Sequence, residues 1–429
     1  MKIIIYTPTF APVISGVTTR VLTLMEYFVS RGHSICIVTP CQASAGWKGP
    51  ATLHILKSMS IPLFTAKYPC IREPSQLTLG YEFHSICERF RPDILHAFGP
   101  TTALGTMSAI AGSLHIPVVM SYNTDITTLV TTWTGRSSPA LLACIDQAGI
   151  RCSQVIGIFD VQCIIAVSHG SLANLTQRGL IPAGQCTDVM LPIVNTTIFR
   201  PVRPQPRLFK EDGSLRVVFC GRLGPEKRVN LLIESLRYTR HAVQLLIIGD
   251  GEHMSCLEKQ AAIADVGRGG SIRFVGAVEH HLLASYYCAA DVYLSASDFE
   301  TCGLTTLEAM ACGLPALLVP HGGAIDHLQS GRTGIACRTP QEFAAAMDHL
   351  HDDQALCKRM ARSAQNYARG CTIHACGEHL LSRYRKVIRT FPTTIRTEKT
   401  DPSSKLWSTV ATLSRGAGLV KQLIRGPDV

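Results

Sequence analysis

The chain has 429 residues, of which 46% are hydrophobic and 17% charged, and its formal net charge is +10. That length exceeds one ordinary core and predicts about two to three domains, globular and rich in buried sheet. No apolar run reaches the roughly 18–20 residues needed to cross a bilayer, and Pro8 breaks the opening strand too early for a secretory signal.

The cationic balance favours an acidic partner. Nucleic acid is disfavoured because no aromatic and basic residues interleave, which leaves nucleotide diphosphates and anionic lipid. Seventeen cysteines, none spaced Cys-x-x-Cys, argue against a zinc site or redox motif and suit a reducing compartment. Two glycan-acceptor patterns, at Asn174 and Asn195, are read as chance.

Ile3-Ile4-Ile5 reads as the first strand. Val21, Leu24, Met25 and Phe28 form a helical stripe that Arg31-Gly32-His33 ends, and Ile35-Cys36-Ile37-Val38 is the next strand. This is a βαβ unit with a right-handed crossover. Gly16 lies in the loop between strand and helix, where it is either a turn glycine or a place for backbone to approach a phosphate. Strands follow at Asp93–His96, Val118–Ser121 and Ile164–Ser168, so β and α elements alternate as in a doubly wound parallel sheet. Asn123, just past the second of these, either caps a loop or hydrogen-bonds a ligand hydroxyl.

Residues 1–200 are expected to form one domain, and the proline-bearing 201–214 a linker. A second domain then spans 215–375. It opens with the strand Leu215–Phe219, followed by Cys220-Gly221-Arg222-Leu223-Gly224-Pro225-Glu226-Lys227. Taken alone, Arg222 and Lys227 would be read as forming surface pairs with Glu226 or another acid. Gly249-Asp250-Gly251 ends the next strand and is no dinucleotide fingerprint, because Met254 stands where the third glycine belongs.

The stretch from Phe299 to Pro315 carries most information. Gly303 gives a turn, Thr305 and Thr306 favour a helix start, and Gly313-Leu314-Pro315 stops the helix before the strand Ala316–Val319. Glu300 and Glu308 would lie about 80° apart on one continuous helix. With Glu300 before the helix and Glu308 on it, both reach one ligand, and the amides at the helix start offer a phosphate site.

Glu300-x7-Glu308 followed by Ala309-Met310-Ala311-Cys312-Gly313-Leu314-Pro315 resembles the retaining group 1 glycosyltransferases of family 4. The resemblance covers about residues 1–390. It implies the GT-B architecture, two facing Rossmann-like domains with a cleft between them and a last helix, 376–390, crossing back to the first. It further implies that Arg222 and Lys227 grip the donor diphosphate, that Glu300 touches the donor sugar and that Glu308 accepts from the ribose hydroxyls. Gly16, Gly303, Leu304 and Thr305 would line the phosphates, and His321-Gly322-Gly323-Ala324-Ile325-Asp326 matches a further family loop. No cofactor and no metal are expected; the nucleotide sugar is a substrate. Asn123 departs from the family, which usually has histidine there, and this puts donor preference in doubt.

Ser60-Ile61-Pro62 to Tyr81, Arg91–Ala97 and Met120-Ser121-Tyr122 are similar to the sulfolipid synthases, which transfer sulfoquinovose to diacylglycerol. The expected activity is therefore sugar transfer from a UDP-sugar to a lipid acceptor. The alternatives are a GDP-mannose-dependent lipid mannosyltransferase and a nucleotide-sugar-binding protein with impaired catalysis. Residues 391–429 form a tail, in which Leu406, Val410, Leu413, Ala417, Val420 and Ile424 share one helical stripe among basic residues. It either lies on an anionic membrane, making the protein peripheral in a cytoplasmic or organelle-facing reducing compartment, or docks on the protein, or is disordered.

Overall fold

The structure is a computed structural model that describes residues 1–13, 16–60, 72–99, 101–123, 161–182, 184–190, 192–264, 269–297, 300 and 302–391. The tail stripe, residues 61–71 of the sulfolipid-like stretch, and Phe299 and Thr301 lie outside the described residues.

Strands β1 (Lys2–Tyr6), β2 (Ser34–Thr39), β3 (Thr52–Ile55), β6 (Ile94–Phe98), β7 (Val118–Tyr122), β8 (Cys163–Ala166) and β9 (Thr187–Val189) make a parallel sheet ordered β3-β2-β1-β6-β7-β8-β9. Between them β4 (Ser58–Ser60) and β5 (Arg72–Pro74) form a small antiparallel pair. A second sheet of β10 (Leu215–Cys220), β11 (Val243–Ile248), β12 (Ser271–Gly276), β13 (Val292–Ser295), β14 (Ala316–Leu318) and β15 (Gly334–Ala336) is ordered β12-β11-β10-β13-β14-β15. All its pairings are parallel. Two parallel-sheet α/β lobes are thus the architecture, as the alternation of elements implied.

The central strands read as unbroken apolar runs because both faces are covered. Ile3, Ile4 and Ile5 are fully buried, and successive residues enter different cores. The Gly16–Ser30 helix buries Val21, Leu24, Met25 and Phe28, the stripe read from the sequence. The Ile373–Thr390 helix packs Leu380, Leu381, Tyr384 and Val387 into that same core. Its Tyr384 hydroxyl lies 2.5 Å from His96 Nδ1, and Arg383 Nε donates to Asp188 at 2.6 Å. The end of the chain therefore completes the first lobe.

In each sheet the strand order reverses beside the first strand, between β1 and β6 and between β10 and β13. Ligands of doubly wound sheets bind in the crevice at the carboxyl ends of the strands flanking such a reversal. The loops that matter are those after β1, β6 and β7 in one lobe and after β10 and β13 in the other.

Candidate active site

The loop after β10 carries Arg222 and Lys227, and the segment after β13 carries Glu300. The Lys227 ammonium is hydrogen-bonded to Glu300 Oε1 across the switch point of the second sheet. Both side chains are mostly buried, at 17% and 18% exposure. Two groups expected from the sequence to meet the donor thus meet each other. Arg222 instead turns back onto Glu226 four residues on, with Glu252 3.9 Å away. Each cation thus pairs with an acid in this conformation, Arg222 with Glu226 and Lys227 with Glu300. Glu226 keeps its second carboxylate oxygen buried and unpartnered.

The loops after β10 and β11 interlock. Leu223 N donates to Asp250 O at 2.9 Å, and His253 N donates to Leu223 O at 3.0 Å. A Cβ on Gly249 would stand 1.9 Å from the Gly221 carbonyl oxygen. Gly249 and Gly251 are there for this close approach of two chains, which fixes the base of the Arg222–Lys227 loop.

Gly303 sits at φ +63°, and a Cβ there would come within 2.7 Å of Ala324. This left-handed turn launches the Leu304–Ala311 helix, so Leu304 and Thr305 occupy its first turn. Thr305 Oγ1 is 2.9 Å from the Tyr293 hydroxyl on β13. One turn further, Glu308 is nine-tenths buried. Its Oε1 lies 2.7 Å from His280 Nε2, while its Oε2 is buried with no hydrogen-bond partner. Burial raises the Glu308 carboxyl above the usual carboxylate range against the pull of His280. The hydrogen bond to Glu308 raises the His280 imidazole against the effect of burial. Both groups are thus shifted towards their protonated forms. Glu308 Oε2 is a buried acceptor of the kind that a ligand hydroxyl satisfies.

The first lobe faces this constellation. Gly16 proves to be the first residue of its helix rather than part of a turn, and a Cβ on it would lie 3.9 Å from Leu304 Cδ1. One turn on, Arg20 is buried and donates to Cys302 Sγ at 3.1 Å. The Asp326 carboxylate accepts from the His169 amide and, at 3.4 Å, from the Gly170 amide, at the start of the His169–Gln177 helix. The acid of the Gly-Gly loop thereby holds the other lobe. Asn123 lies at the carboxyl end of β7, 9% exposed, with both amide atoms buried and unpartnered.

Sequence reasoning missed Arg20, His280 and Asp326's contact. Arg20 carried a signal, since it interrupts an otherwise apolar buried face one turn after Gly16. His280 and Glu308 are 28 residues apart in different elements, with no spacing to betray them.

A two-lobed doubly wound fold with cations and acids at its switch point places charged groups where folds of this kind bind their ligands. The family profile described as Glycosyl transferases group 1 matches residues 204–367, and that of Glycosyltransferase Family 4 matches residues 14–188. The chain is 26% identical over 409 residues to a GDP-mannose-dependent alpha-mannosyltransferase of Corynebacterium glutamicum, covering 90% of this chain and 89% of that protein. It is 26% identical over 338 residues to sulfoquinovosyl transferase SQD2 of Arabidopsis thaliana, covering 75% of this chain and 60% of the relative. A Streptococcus pneumoniae alpha-monoglucosyldiacylglycerol synthase is 25% identical over 338 residues, covering 75% and 71%. Anabaena Alr3699/HepE, solved with UDP and glucose, shares the fold with a TM-score of 0.64 at 16% identity, over 90% of this chain and 100% of that one. The chain belongs to the group 1 glycosyltransferases of GT-B fold, which transfer a sugar from a nucleotide donor.

Proposed function

We propose that the protein is a retaining, metal-independent glycosyltransferase that moves a sugar from a UDP-sugar to a lipid hydroxyl such as that of diacylglycerol. The observation that carries the donor half of this reading is the Lys227–Glu300 pair at the switch point, beside the unpartnered oxygen of Glu308. When the donor enters, its diphosphate takes the Lys227 ammonium from Glu300, and Arg222 swings from Glu226 onto the same phosphates. As the sugar–oxygen bond breaks, charge grows on the leaving phosphate, and cations placed there lower the barrier more than they bind the ground state. Arginine forks onto two oxygens, while lysine supplies a point charge.

Glu300, released, accepts from sugar hydroxyls, and Glu308 Oε2 accepts from the ribose. Gly303, Leu304 and Thr305 present backbone amides to the phosphate at the helix start, and Gly16 leaves room for it from the first lobe. Asn123 supplies a neutral donor and acceptor to a sugar hydroxyl in place of the family's histidine. The departing phosphate itself takes the acceptor proton.

The acceptor half is supported by the diacylglycerol named in the pneumococcal relative and by the sulfolipid-like segment. A GDP-mannose donor is the second reading, favoured by the Corynebacterium relative, whose match spans 90% of this chain. The test is product formation from UDP-glucose, UDP-sulfoquinovose and GDP-mannose on diacylglycerol vesicles, read by mass spectrometry, with the anomeric configuration by NMR. A lipid product from a UDP-sugar with retained configuration and unchanged turnover in EDTA is expected. Inversion, a chelator-sensitive rate, or donor binding without transfer to any acceptor refutes the corresponding part.

A further inference from the structure

The lobe that carries Lys227 holds a second polar cluster at its opposite pole. His241 stands in the loop before β11, and His351 and Asp352 lie at the end of the Pro340–Asp352 helix. Gly213 precedes β10. Strands β10 and β11 start here and run towards the cleft, so the six residues of β11 put roughly 20 Å between the two sites.

His241 Nε2 lies 2.7 Å from Asp352 Oδ1, and His351 Nδ1 lies 3.7 Å from the same oxygen. The two imidazoles are stacked, with centroids 4.1 Å apart and planes inclined by 20°. His351 Nε2 is 3.3 Å from the Gly213 carbonyl oxygen. A carbonyl only accepts, so Nε2 carries a proton here, and Nδ1 is the ring nitrogen open to a metal. That Nδ1 is buried and has no hydrogen-bond partner. A histidine whose far nitrogen donates to a backbone carbonyl, with its near nitrogen bare, has the tautomer and anchoring of a metal ligand.

We propose that His241 Nε2, His351 Nδ1 and Asp352 Oδ1 bind a zinc ion. The ligand atoms all lie within 4.8 Å of one another. Ligands on one tetrahedral zinc are about 3.3 Å apart, and the two imidazole–carboxylate separations here are 2.7 and 3.7 Å. Two imidazoles and one carboxylate suit zinc better than calcium or magnesium. On binding, His241 turns out of the stack to point the Nε2 lone pair at the ion, with its ring proton on Nδ1, while His351 stays anchored to Gly213 and a water fills the fourth position. Arg240 holds the other Asp352 oxygen at 2.9 Å and leaves Oδ1 to the imidazoles. Its charge is also met by the buried Asp348, 3.3 Å from Nε. The ion would pin the helix end to the β11 loop. Cysteine spacing pointed away from zinc, but these ligands are imidazole and carboxylate contributed from positions 110 residues apart, a distance no local pattern records.

The test is zinc titration of the chelator-stripped full chain. Exposed Cys186 and Cys256 compete, so cobalt(II) is used in parallel, since sulfur ligation adds strong near-ultraviolet charge transfer and nitrogen–oxygen ligation does not. One cobalt with visible bands and no charge transfer is expected, with zinc raising Tm. His241→Ala and His351→Ala should each weaken zinc affinity at least ten-fold, with UDP affinity unchanged. His351→Gln, which keeps the side chain's polarity, serves should the alanine variant lose its circular dichroism. Wild-type zinc binding weaker than millimolar, a sulfur signature, or unaltered affinity in the folded variants overturns the proposal.

Discussion

Replacing Glu308 with alanine tests the nucleotide site most directly. The carboxylate has one oxygen on His280 at 2.7 Å and one buried oxygen with no partner. Losing the first contact costs little, because His280 is 56% exposed and water replaces the acid. Losing the second removes one charge-assisted hydrogen bond to a ribose hydroxyl, worth about 1.5–3 kcal/mol. UDP should therefore bind roughly 10- to 150-fold more weakly. The same loss is expected for GDP, since the ribose is common to both. Isothermal titration calorimetry with UDP and with its 2′- and 3′-deoxy analogues measures it. At least one deoxy analogue should bind the wild type weakly, yet match UDP in Glu308→Ala. Unchanged affinity in the variant, or an analogue penalty that persists in it, would refute the assignment of Oε2 to the ribose.

The His280 ring should titrate above 6.5 in the wild type, because the Glu308 hydrogen bond outweighs burial. In Glu308→Leu, which removes both the acceptor and the charge, only burial remains and the ring should titrate below 6.5; imidazole NMR reads this, and an unmoved titration sinks the account. The folded state holds this proton more tightly, so the pair's stabilisation is complete below pH 6.5 and is lost as pH rises through the raised value. Asp326→Ala removes the acceptor of the His169 and Gly170 amides. Loss of such a helix cap costs about 0.5–2 kcal/mol, shifting the closed arrangement roughly 2- to 30-fold towards open; small-angle scattering should show a larger radius of gyration, and an identical curve counts against a latch. Tyr384→Phe strips the Nδ1 partner from buried His96, leaving Ser121 Oγ on Nε2; burial holds that ring neutral with its pKa down to about 3. A loss of about 1–3 kcal/mol should lower Tm by several degrees; an unchanged Tm would show that the hydroxyl contributes nothing.

Legibility followed locality. The strands announced themselves because Ile3–Ile5, Leu245–Ile248 and Val118–Met120 are buried on both faces and so must be apolar in succession. The Gly16–Ser30 stripe and the helix after Gly303 were readable from spacing and turn chemistry. Strand β9, Thr187-Asp188-Val189, was not, because its acid exists for Arg383 and His379 on a helix almost two hundred residues later. The site divides the same way. Lys227, Glu300 and Glu308 were found through a motif, yet their pairings with one another and with His280 depend on which strands flank the reversal. Asn123 was visible as a substitution, but its two unpaired amide atoms are a property of the folded cleft alone.

The return of the final helix to the first lobe has a consequence for biosynthesis. Ile3, Ile5 and Phe28 leave the ribosome more than three hundred residues before Leu380, Tyr384 and Val387, which seal their core. At roughly 5–20 residues per second, the lobe translated first waits tens of seconds with that face open, while the lobe translated second can close as soon as it emerges. The half of the enzyme begun first is finished last, and a nascent-chain chaperone has its longest engagement there.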